Sequence, residues 1–263
     1  ITAISRPETE PVTYSLTGQA EPVIDDHGTL IAQLRSQESD LEAAVEIRVW
    51  DDGFAFQYQF DNAAGRTITT EQTQFVLPTD ARALVQYGDP ATEKMQNAWM
   101  DTTVGAMMAF EKITCLPTFV LTDGIYVNIS EANLDDWRGM AMQHEGNGRL
   151  RVIASDDRAL EFTTQSDHSP WRYVKITDNL TDLVNSRIDT HVSDPAVFTD
   201  TSWIHTGRGS VRLQDWGKET PENVREEIDS CAASGVIAFD FETYYEKNGW
   251  GETLEEQFAK IGE

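Results

Sequence analysis

The sequence has few basic residues for its length. It contains 20 Lys and Arg against 45 Asp and Glu, which gives a formal net charge of -25 over 263 residues. Binding to nucleic acid or to an anionic membrane surface requires clustered basic side chains. The charge balance therefore argues against both partners. The acidic residues are spread along the whole chain and predict a solvated surface.

Cysteine and long apolar runs are scarce as well. The two cysteines, Cys115 and Cys231, are far apart in sequence, and we expect both to be small buried hydrophobic residues, with a disulfide as the alternative. No Cys-x-x-Cys or Cys/His zinc spacing is present, and the five histidines show no paired metal spacing. No run is apolar enough for a membrane span or a signal peptide. The chain begins at Ile1 rather than Met, which fits a processed or trimmed chain and leaves open a removed export signal.

Alternating apolar residues are the main feature that is present. Ala44–Trp50 and Phe54–Phe60 both alternate, and Asp51–Gly53 between them is a turn signal, so this stretch predicts a β-hairpin. Short strands are predicted at six further places: 67–70, 73–77, 118–121, 125–129, 150–154 and 173–176. Many short strands with regular turns are typical of a large antiparallel sandwich. The stretch 95–110 has no clean period, and we expect a long excursion there.

The last part of the chain has a different pattern, which predicts strand, helix and strand. Thr220 is a hydroxyl N-cap, Pro221 suits the first helical position and Gly235 is the expected stop. An apolar stripe of helical period lies between them: Val224, Ile228, Cys231 and Ala232. The flanking segments 209–215 and 236–242 have strand character, and such a unit normally pairs its strands in parallel. Because one unit cannot cover both faces of its sheet, either a larger α/β domain continues beyond this chain or the unit docks on what precedes it.

Five segments, taken in order, resemble one family, glycoside hydrolase family 97. The hairpin resembles the family's glycine turn that leads into an aromatic strand, Ser130-Glu-Ala132 resembles its Glu-Ala strand end, and Pro170-Trp-Arg172 resembles its Pro-Trp-Arg strand. No segment is specific alone, but their order and spacing together identify the family. The five segments are 49–58, 70–78, 126–133, 169–173 and 200–204, the last followed by Gly207.

The resemblance implies a domain organisation. The family has an N-terminal β-super-sandwich of the galactose mutarotase type, then a (β/α)8 barrel, then a small C-terminal β domain. We therefore expect a mainly β chain: a large antiparallel super-sandwich over 1–181, a connector over 182–206 with a short helix at 183–188, and the first βαβ unit of an incomplete TIM-type barrel over 207–263. A whole barrel needs about 250 residues.

The resemblance also implies an activity. The family hydrolyses α-linked glucosyl or galactosyl units of oligosaccharides and acts in the bacterial periplasm or outside the cell. Its two catalytic carboxyl groups lie on later barrel strands, so no catalytic residue is assigned in this chain, and we expect the chain alone to be inactive. The alternative is a non-catalytic carbohydrate-binding or structural β-sandwich, which an exposed aromatic platform on the sandwich face would indicate.

Glu131 is the sharpest candidate for a site residue. The resemblance places at this position a glutamate that binds calcium together with barrel glutamates near the active site, and carboxylate oxygens are suitable Ca²⁺ ligands. An ordinary carboxylate at a strand end is the alternative. Since the partner ligands lie outside this chain, we expect calcium in the intact enzyme and an incomplete site here.

Four residues of the incomplete barrel are candidates for substrate binding. Asp240 and Glu242 are two apart on a predicted strand and share a face, so at the end of a barrel strand they would face the active-site mouth. A solvated or arginine-paired strand end is the alternative. Asp215 and Trp216 end the preceding strand, where Trp216 either stacks on a sugar or caps the core. Both places depart from the family pattern, which puts the sugar specificity in doubt.

Overall fold

The computed structural model describes most of the chain and divides it into two units. The described residues are 1–16, 19–37, 42–60, 66–88, 98–109, 112–121, 123–154, 162–164, 167–195, 197–198, 200–203, 210–213, 220–236, 238–241 and 249–262. One unit comprises 1–13 and 24–195, and the other comprises 14–23 and 196–263. The strands of the large sheet belong to the first unit, and the strand–helix–strand segment belongs to the second.

The described part of the chain before residue 178 is dominated by strands. They are β1 (Ala3–Ser5), β2 (Val12–Tyr14), β3 (Val23–Asp25), β4 (Gly28–Arg35), β5 (Glu42–Trp50), β6 (Gly53–Phe60), β7 (Arg66–Ile68), β8 (Gln74–Val76), β9 (Arg82–Gly88), β10 (Trp99–Thr103), β11 (Lys112–Val120), β12 (Tyr126–Ala132), β13 (Met140–His144), β14 (Arg149–Ala154), β15 (Phe162–Thr164) and β16 (Trp171–Thr177). A 3-10 helix at Gly105–Ala109 follows β10.

Twelve of these strands form one antiparallel sheet. Their order is β1-β4-β5-β6-β16-β12-β11-β13-β14-β8, and β9 pairs with both β11 and the edge strand β10. Two separate two-stranded pairs are formed by β2 with β3 and by β7 with β15. The predicted antiparallel, mainly β fold is therefore confirmed.

The predicted hairpin is formed by β5 and β6, with Trp50 opposite Gly53. Gly53 has a φ of +148°, and a Cβ atom built on it would lie 2.1 Å from the Val174 carbonyl oxygen and 2.9 Å from Cδ1 of Ile188. Glycine is therefore required at this turn, both for its backbone conformation and for the close approach of β16.

The main core lies on one side of the sheet. Every second residue of β12, Val127 and Ile129, points into this core, as do Phe119 of β11 and Val174 of β16. These side chains are buried together with others from the neighbouring strands and the 3-10 helix: Ala81, Ala83, Val85, Val104, Met107, Met142 and Leu150.

The other side of β16 is covered by two short helices, α1 (Leu180–Asn185) and α2 (Ile188–His191). They help to bury a second cluster, which consists of Trp50, Ala55, Trp171, Tyr173, Ile188 and Val192. Lys175 donates to the Ser186 carbonyl oxygen at 3.0 Å and to Asp189 at 3.1 Å. The sequence predicted one helix here. There are two because Ser186, with φ −54° and ψ 137°, leaves the helical conformation.

The second unit contains the predicted strand–helix–strand. Its strands β17 (Ser210–Leu213) and β18 (Ala238–Phe241) pair in parallel, and α3 (Pro221–Ala233) lies between them in sequence. Thr220 caps α3 by accepting the Asn223 N–H at 3.3 Å. A further helix, α4 (Leu254–Ile261), begins at a capping box. Cys231 is buried and free, whereas the side chain of Cys115 lies outside the described part.

Several strands were not predicted. β9 alternates buried Ala83 and Val85 with less buried residues, and such small side chains give a weak apolar signal. The stretch 95–110 contains β10 and a 3-10 helix rather than an irregular excursion.

No described helix is long and apolar enough to cross a membrane.

Replacing Gly53 by alanine tests the close approach at the hairpin. Gly53→Ala should lower the free energy of unfolding by about 2–4 kcal/mol, because the new methyl group meets the Val174 carbonyl in a conformation that L-residues avoid. Gly124→Ala is the matched control: Gly124 also has positive φ, +84°, but nothing lies within 4 Å of its added Cβ, so it should lose only about 1 kcal/mol. Equal losses in urea unfolding would show that steric contact with β16 is unimportant.

Candidate functional site

Glu131 lies at the end of β12, directly opposite Arg172 of β16. Val127 and Ile129 precede it by four and two residues and point into the main core, so the period of a strand puts Glu131 on the same face. Arg172 likewise shares its face with the core residue Val174. A charged pair therefore continues a face that is otherwise apolar.

The Arg172 guanidinium is shared by two glutamates. Arg172 is 1% exposed. Its Nε donates to Oε1 of Glu71 at 3.1 Å, its Nη2 donates to Oε2 of Glu71 at 2.6 Å, and its Nη1 donates to Oε2 of Glu131. Oε1 of Glu131 accepts the backbone N–H of Met140 at 2.6 Å. We call Glu71, Glu131 and Arg172, with this N–H, the Glu131 cluster.

Burial dominates the electrostatics of the Glu131 cluster. It raises the pKa of Glu131, and Glu71 acts in the same direction, whereas Arg172 and the Met140 N–H oppose it. For Arg172, burial favours a lower pKa, but the two carboxylates outweigh it and hold the pKa above its ordinary value. With both glutamates ionised, the cluster has one uncompensated negative charge at a largely desolvated position, which is suited to a cation.

The Glu131 cluster is not a calcium site by itself. Ca²⁺ takes about six to eight oxygen ligands, and among the described residues no group of three or more His, Cys, Asp and Glu could hold a metal ion. Both Glu131 oxygens already accept a hydrogen bond, although a carboxylate oxygen has a second lone pair. Further ligands from outside the described residues would be needed.

The other predicted site residues belong to the second unit. Asp240 lies in β18, where its backbone is in register with Arg212 of β17, and its side chain lies outside the described part. Asp215, Trp216 and Glu242 lie outside the described residues. Substrate binding by all four stays a prediction.

A second buried polar cluster surrounds Asp25. The indole Nε1 of Trp50 donates to Oδ1 of Asp25 at 2.7 Å, and Nδ1 of His27 lies 2.8 Å from the same oxygen. His191 of α2 stacks on the Trp50 ring, with centroids 5.7 Å apart and planes at 13°, and its Nδ1 is 3.9 Å from Asp25. One carboxylate therefore links β3, β5 and α2.

Sequence reasoning missed Glu71 and Arg172 as partners of Glu131. The signal was present in β16, because Arg172 stands in a run of aromatic and β-branched residues, between Trp171 and Tyr173. A charged residue inside such a strand needs a buried counter-charge. The identity of that counter-charge cannot be read locally, because Glu71 is 101 residues away.

Removing Arg172 should destabilise the first unit strongly. Arg172→Met leaves Glu71 and Glu131 without their shared cation, and losing one partner of a buried ion pair costs about 3–5 kcal/mol of unfolding free energy. The measurement is urea unfolding at neutral pH. Arg82→Gln, which breaks the solvent-exposed Arg82–Asp101 pair, is the control and should change stability little.

Restoring charge balance provides the complementary test of the Glu131 cluster. Adding Glu71→Gln and Glu131→Gln to Arg172→Met should recover part of the lost stability, since no buried charge then lacks a partner. If Arg172→Met alone unfolds at the wild-type urea concentration, the cluster does not stabilise the fold.

The Asp25 cluster predicts a loss of stability in acid. Burial lowers the pKa of His191, and this outweighs the opposing effects of Asp25, Asp52 and Asp189. The unfolded chain therefore takes up a proton first as the pH falls below about 6.5, and the unfolding free energy drops by at most about 1.4 kcal/mol per pH unit. His191→Asn should show a shallower dependence between pH 7.5 and pH 5 in urea unfolding.

The comparison of slopes separates His191 from the other titrating groups. Burial also lowers the pKa of His144, but that effect is common to wild type and variant. An unchanged slope in His191→Asn would therefore contradict a role for His191 in the acid sensitivity.

Comparison with known proteins places the fold in one family. Residues 2–195 match the glycosyl-hydrolase 97 N-terminal family. A retaining alpha-galactosidase from Bacteroides thetaiotaomicron is 22% identical over 256 residues, which cover 82% of this chain and 38% of that protein.

Solved structures of similar fold agree with this match. A glycoside hydrolase family 97 enzyme from Pseudoalteromonas sp., in complex with acarbose, superposes with a TM-score of 0.76 at 20% identity, covering 97% of this chain and 40% of that one. A beta-arabinopyranosidase superposes with a TM-score of 0.75 at 18% identity, covering 99% and 44%. The chain thus spans about two fifths of the length of these relatives. It belongs to the glycosyl-hydrolase 97 family, and its residues 2–195 are the family's N-terminal domain.

Proposed function

We propose that this chain is the N-terminal part of a glycosidase that hydrolyses α-linked glucosyl or galactosyl units of oligosaccharides. The observation that carries the proposal is the family match over residues 2–195, nearly the whole first unit. The alpha-galactosidase activity of the Bacteroides relative supports α-linked galactosyl units as a substrate. Acarbose bound by a relative supports an oligosaccharide substrate.

The second unit would begin the catalytic barrel. The parallel pairing of β17 and β18 around α3 is the repeating element of such a barrel, and it supports this role for 207–263. Substrate would contact the carboxyl ends of the strands. Asp215 and Trp216 follow the end of β17 in sequence, Asp240 is near the end of β18, and Glu242 directly follows β18. The catalytic acid and its partner carboxylate would belong to later strands, so this chain would supply binding groups and a supporting domain.

Glu131 would be the contribution of the first unit to a calcium site in the whole protein. Its support is the residual negative charge of the Glu131 cluster and the N–H and guanidinium contacts that fix the carboxylate. Bound calcium would supply a fixed positive charge near the substrate. A periplasmic or secreted location suits this role, because extracellular calcium sites can be weak and still filled.

Hydrolysis by the full-length protein tests the proposal. We expect release of p-nitrophenol from an aryl α-glucoside or an aryl α-galactoside, at least tenfold above release from the matching β-glycosides. Removing calcium with a chelator should slow the reaction, and added Ca²⁺ should restore it. Glu131→Gln should need roughly tenfold more Ca²⁺ for half-maximal activity, since one charged ligand is lost.

The control separates calcium binding from folding. Glu145→Gln removes a carboxylate from the partly exposed Glu145–Arg151 pair in the same unit and should leave the Ca²⁺ requirement unchanged. If the full-length protein cleaves neither α-glycoside, the glycosidase proposal is wrong and the carbohydrate-binding or structural alternative gains support. If cleavage is insensitive to the chelator, only the calcium role of Glu131 is wrong.

A further inference from the structure

The edge of the large sheet displays an aromatic side chain that the core does not use. Trp99 opens β10, and within the described residues β10 pairs only with β9. Trp99 is 57% exposed. The next residue, Met100, packs against the main core, so the pleat directs Trp99 to the opposite face. An exposed indole on an edge strand favours aggregation, which makes a binding role a natural explanation for it.

Polar side chains flank Trp99 on that face. Gln86 of β9 is directly opposite Trp99, and Asp101 is two residues along the same strand. Nε and Nη2 of Arg82 donate to the two oxygens of Asp101 at 2.8 and 2.6 Å, although both side chains are 57% exposed. We call Trp99, Gln86, Asp101 and Arg82 the Trp99 patch.

The Arg82–Asp101 pair keeps its charges and holds them in a fixed plane. Its hydrogen bonds raise the pKa of Arg82 and lower the pKa of Asp101, so both groups stay ionised over the whole neutral range. A guanidinium has more N–H donors than the two that Asp101 accepts, and each carboxylate oxygen has a second lone pair. The pair can therefore donate to and accept from hydroxyl groups while it stays intact.

The charge of the Trp99 patch selects among ligands. Arg82 and Asp101 cancel, so the patch is neutral within a chain of net charge -25. The surrounding acid disfavours anionic ligands. A neutral ligand that combines a flat apolar face with hydroxyl groups matches an indole beside a donor–acceptor pair, and a pyranose ring has this combination.

The register places the Trp99 patch at the same end of the sheet as Glu131. Asn128 is in register with Thr118, Thr118 with Leu84, and Leu84 with Asp101. Because each of these pairings is antiparallel, β12 and β10 run in opposite directions. Going up β12 from Asn128 to Glu131 therefore leads to the same end of the sheet as going back along β10 from Asp101 to Trp99. Three strand spacings of about 4.8 Å separate β12 from β10. The two features lie on opposite faces of the sheet, because Glu131 shares the core face and Trp99 points away from it.

We propose that the Trp99 patch binds a neutral oligosaccharide, with a pyranose ring stacked on Trp99 and its hydroxyl groups on the Arg82–Asp101 pair. The choice of ligand rests on the proposed glycosidase function. The site lies in the first unit, apart in sequence from the predicted barrel residues, and the sugar units that it binds would not themselves react.

Calorimetric titration of the full-length protein with maltoheptaose and with stachyose tests this site. Wild type should bind at least one of them, and Trp99→Ala should weaken that binding roughly tenfold, the order expected for one lost stacking contact. Trp99→Phe should keep most of the affinity, because an aromatic face remains. Arg82→Gln should weaken binding severalfold without removing the indole, which keeps the test valid if Trp99→Ala folds poorly.

Trp203→Ala is the matched control, since Trp203 is 62% exposed and lies in the second unit. Its affinity for each sugar should equal that of wild type. Hydrolysis of the aryl α-glycosides, which carry one sugar unit, should be unchanged in Trp99→Ala, whereas KM for the longer sugar should rise.

Two failures can be told apart. If aryl glycosides are cleaved but Trp99→Ala and Arg82→Gln bind the oligosaccharides like wild type, or wild type binds neither, the Trp99 patch is not a sugar site and the proposed function stands. If no aryl glycoside is cleaved but binding depends on Trp99, the proposed hydrolysis fails and the patch is supported as a binding site.

Discussion

The burial of one guanidinium places a strong constraint on the first unit. Arg172 belongs to β16, which pairs with β6 on one side and β12 on the other. Its charge is acceptable there only because Glu71 and Glu131 both reach it. The two glutamates come from segments 60 residues apart in sequence, so the ion contacts hold distant parts of the chain in a single arrangement. Apolar packing alone would tolerate more slippage between those parts.

The same constraint gives Glu131 its chemical character. A carboxylate at a strand end is normally mobile and solvated, but here one oxygen is held by Arg172 and the other by the Met140 N–H. Preorganisation of this kind lowers the entropic cost of fixing the carboxylate when a cation binds. The arginine also neutralises one of the two glutamates, so the remaining charge is too small to hold a divalent ion without further ligands. The Glu131 cluster is thus suited to supply one ligand to an ion that residues outside the cluster also bind.

Local patterns were sufficient for the elements that depend on local rules. The β5–β6 hairpin follows from alternation and from the Asp51–Gly53 turn, and α3 follows from the Thr220 cap and its apolar stripe. The strand β9 was missed because its buried positions are one alanine and one valine. The stretch around Trp99 was ambiguous because an exposed Trp and a core Met alternate in an edge strand, which inverts the usual apolar signal.

The clusters could not be predicted from the sequence, for a different reason. Glu131 was singled out only through the family resemblance, and its partners come from distant segments: Arg172 from β16 and Glu71 from the connection between β7 and β8. Asp25, Trp50 and His191 meet across 166 residues, because α2 folds back on the sheet. Contacts of this kind depend on which strands are neighbours in the sheet. A single sequence shows where the charged residues are but not the order of the strands.

The scarcity of basic residues accounts for how the described arginines are used. Arg172 serves two glutamates inside the sheet, and Arg151 pairs with Glu145. Arg48 pairs with Glu46 while its guanidinium lies 4.5 Å from the centre of the Trp171 ring. Each of these three arginines thus has a carboxylate neighbour, and locally neutral surface arises where such a pair is exposed. In a chain with excess acid, an exposed pair beside an aromatic ring is a surface that an uncharged ligand can approach without repulsion. The Arg82–Asp101 pair beside Trp99 meets that condition, which is why a neutral sugar is a better match for it than a charged partner.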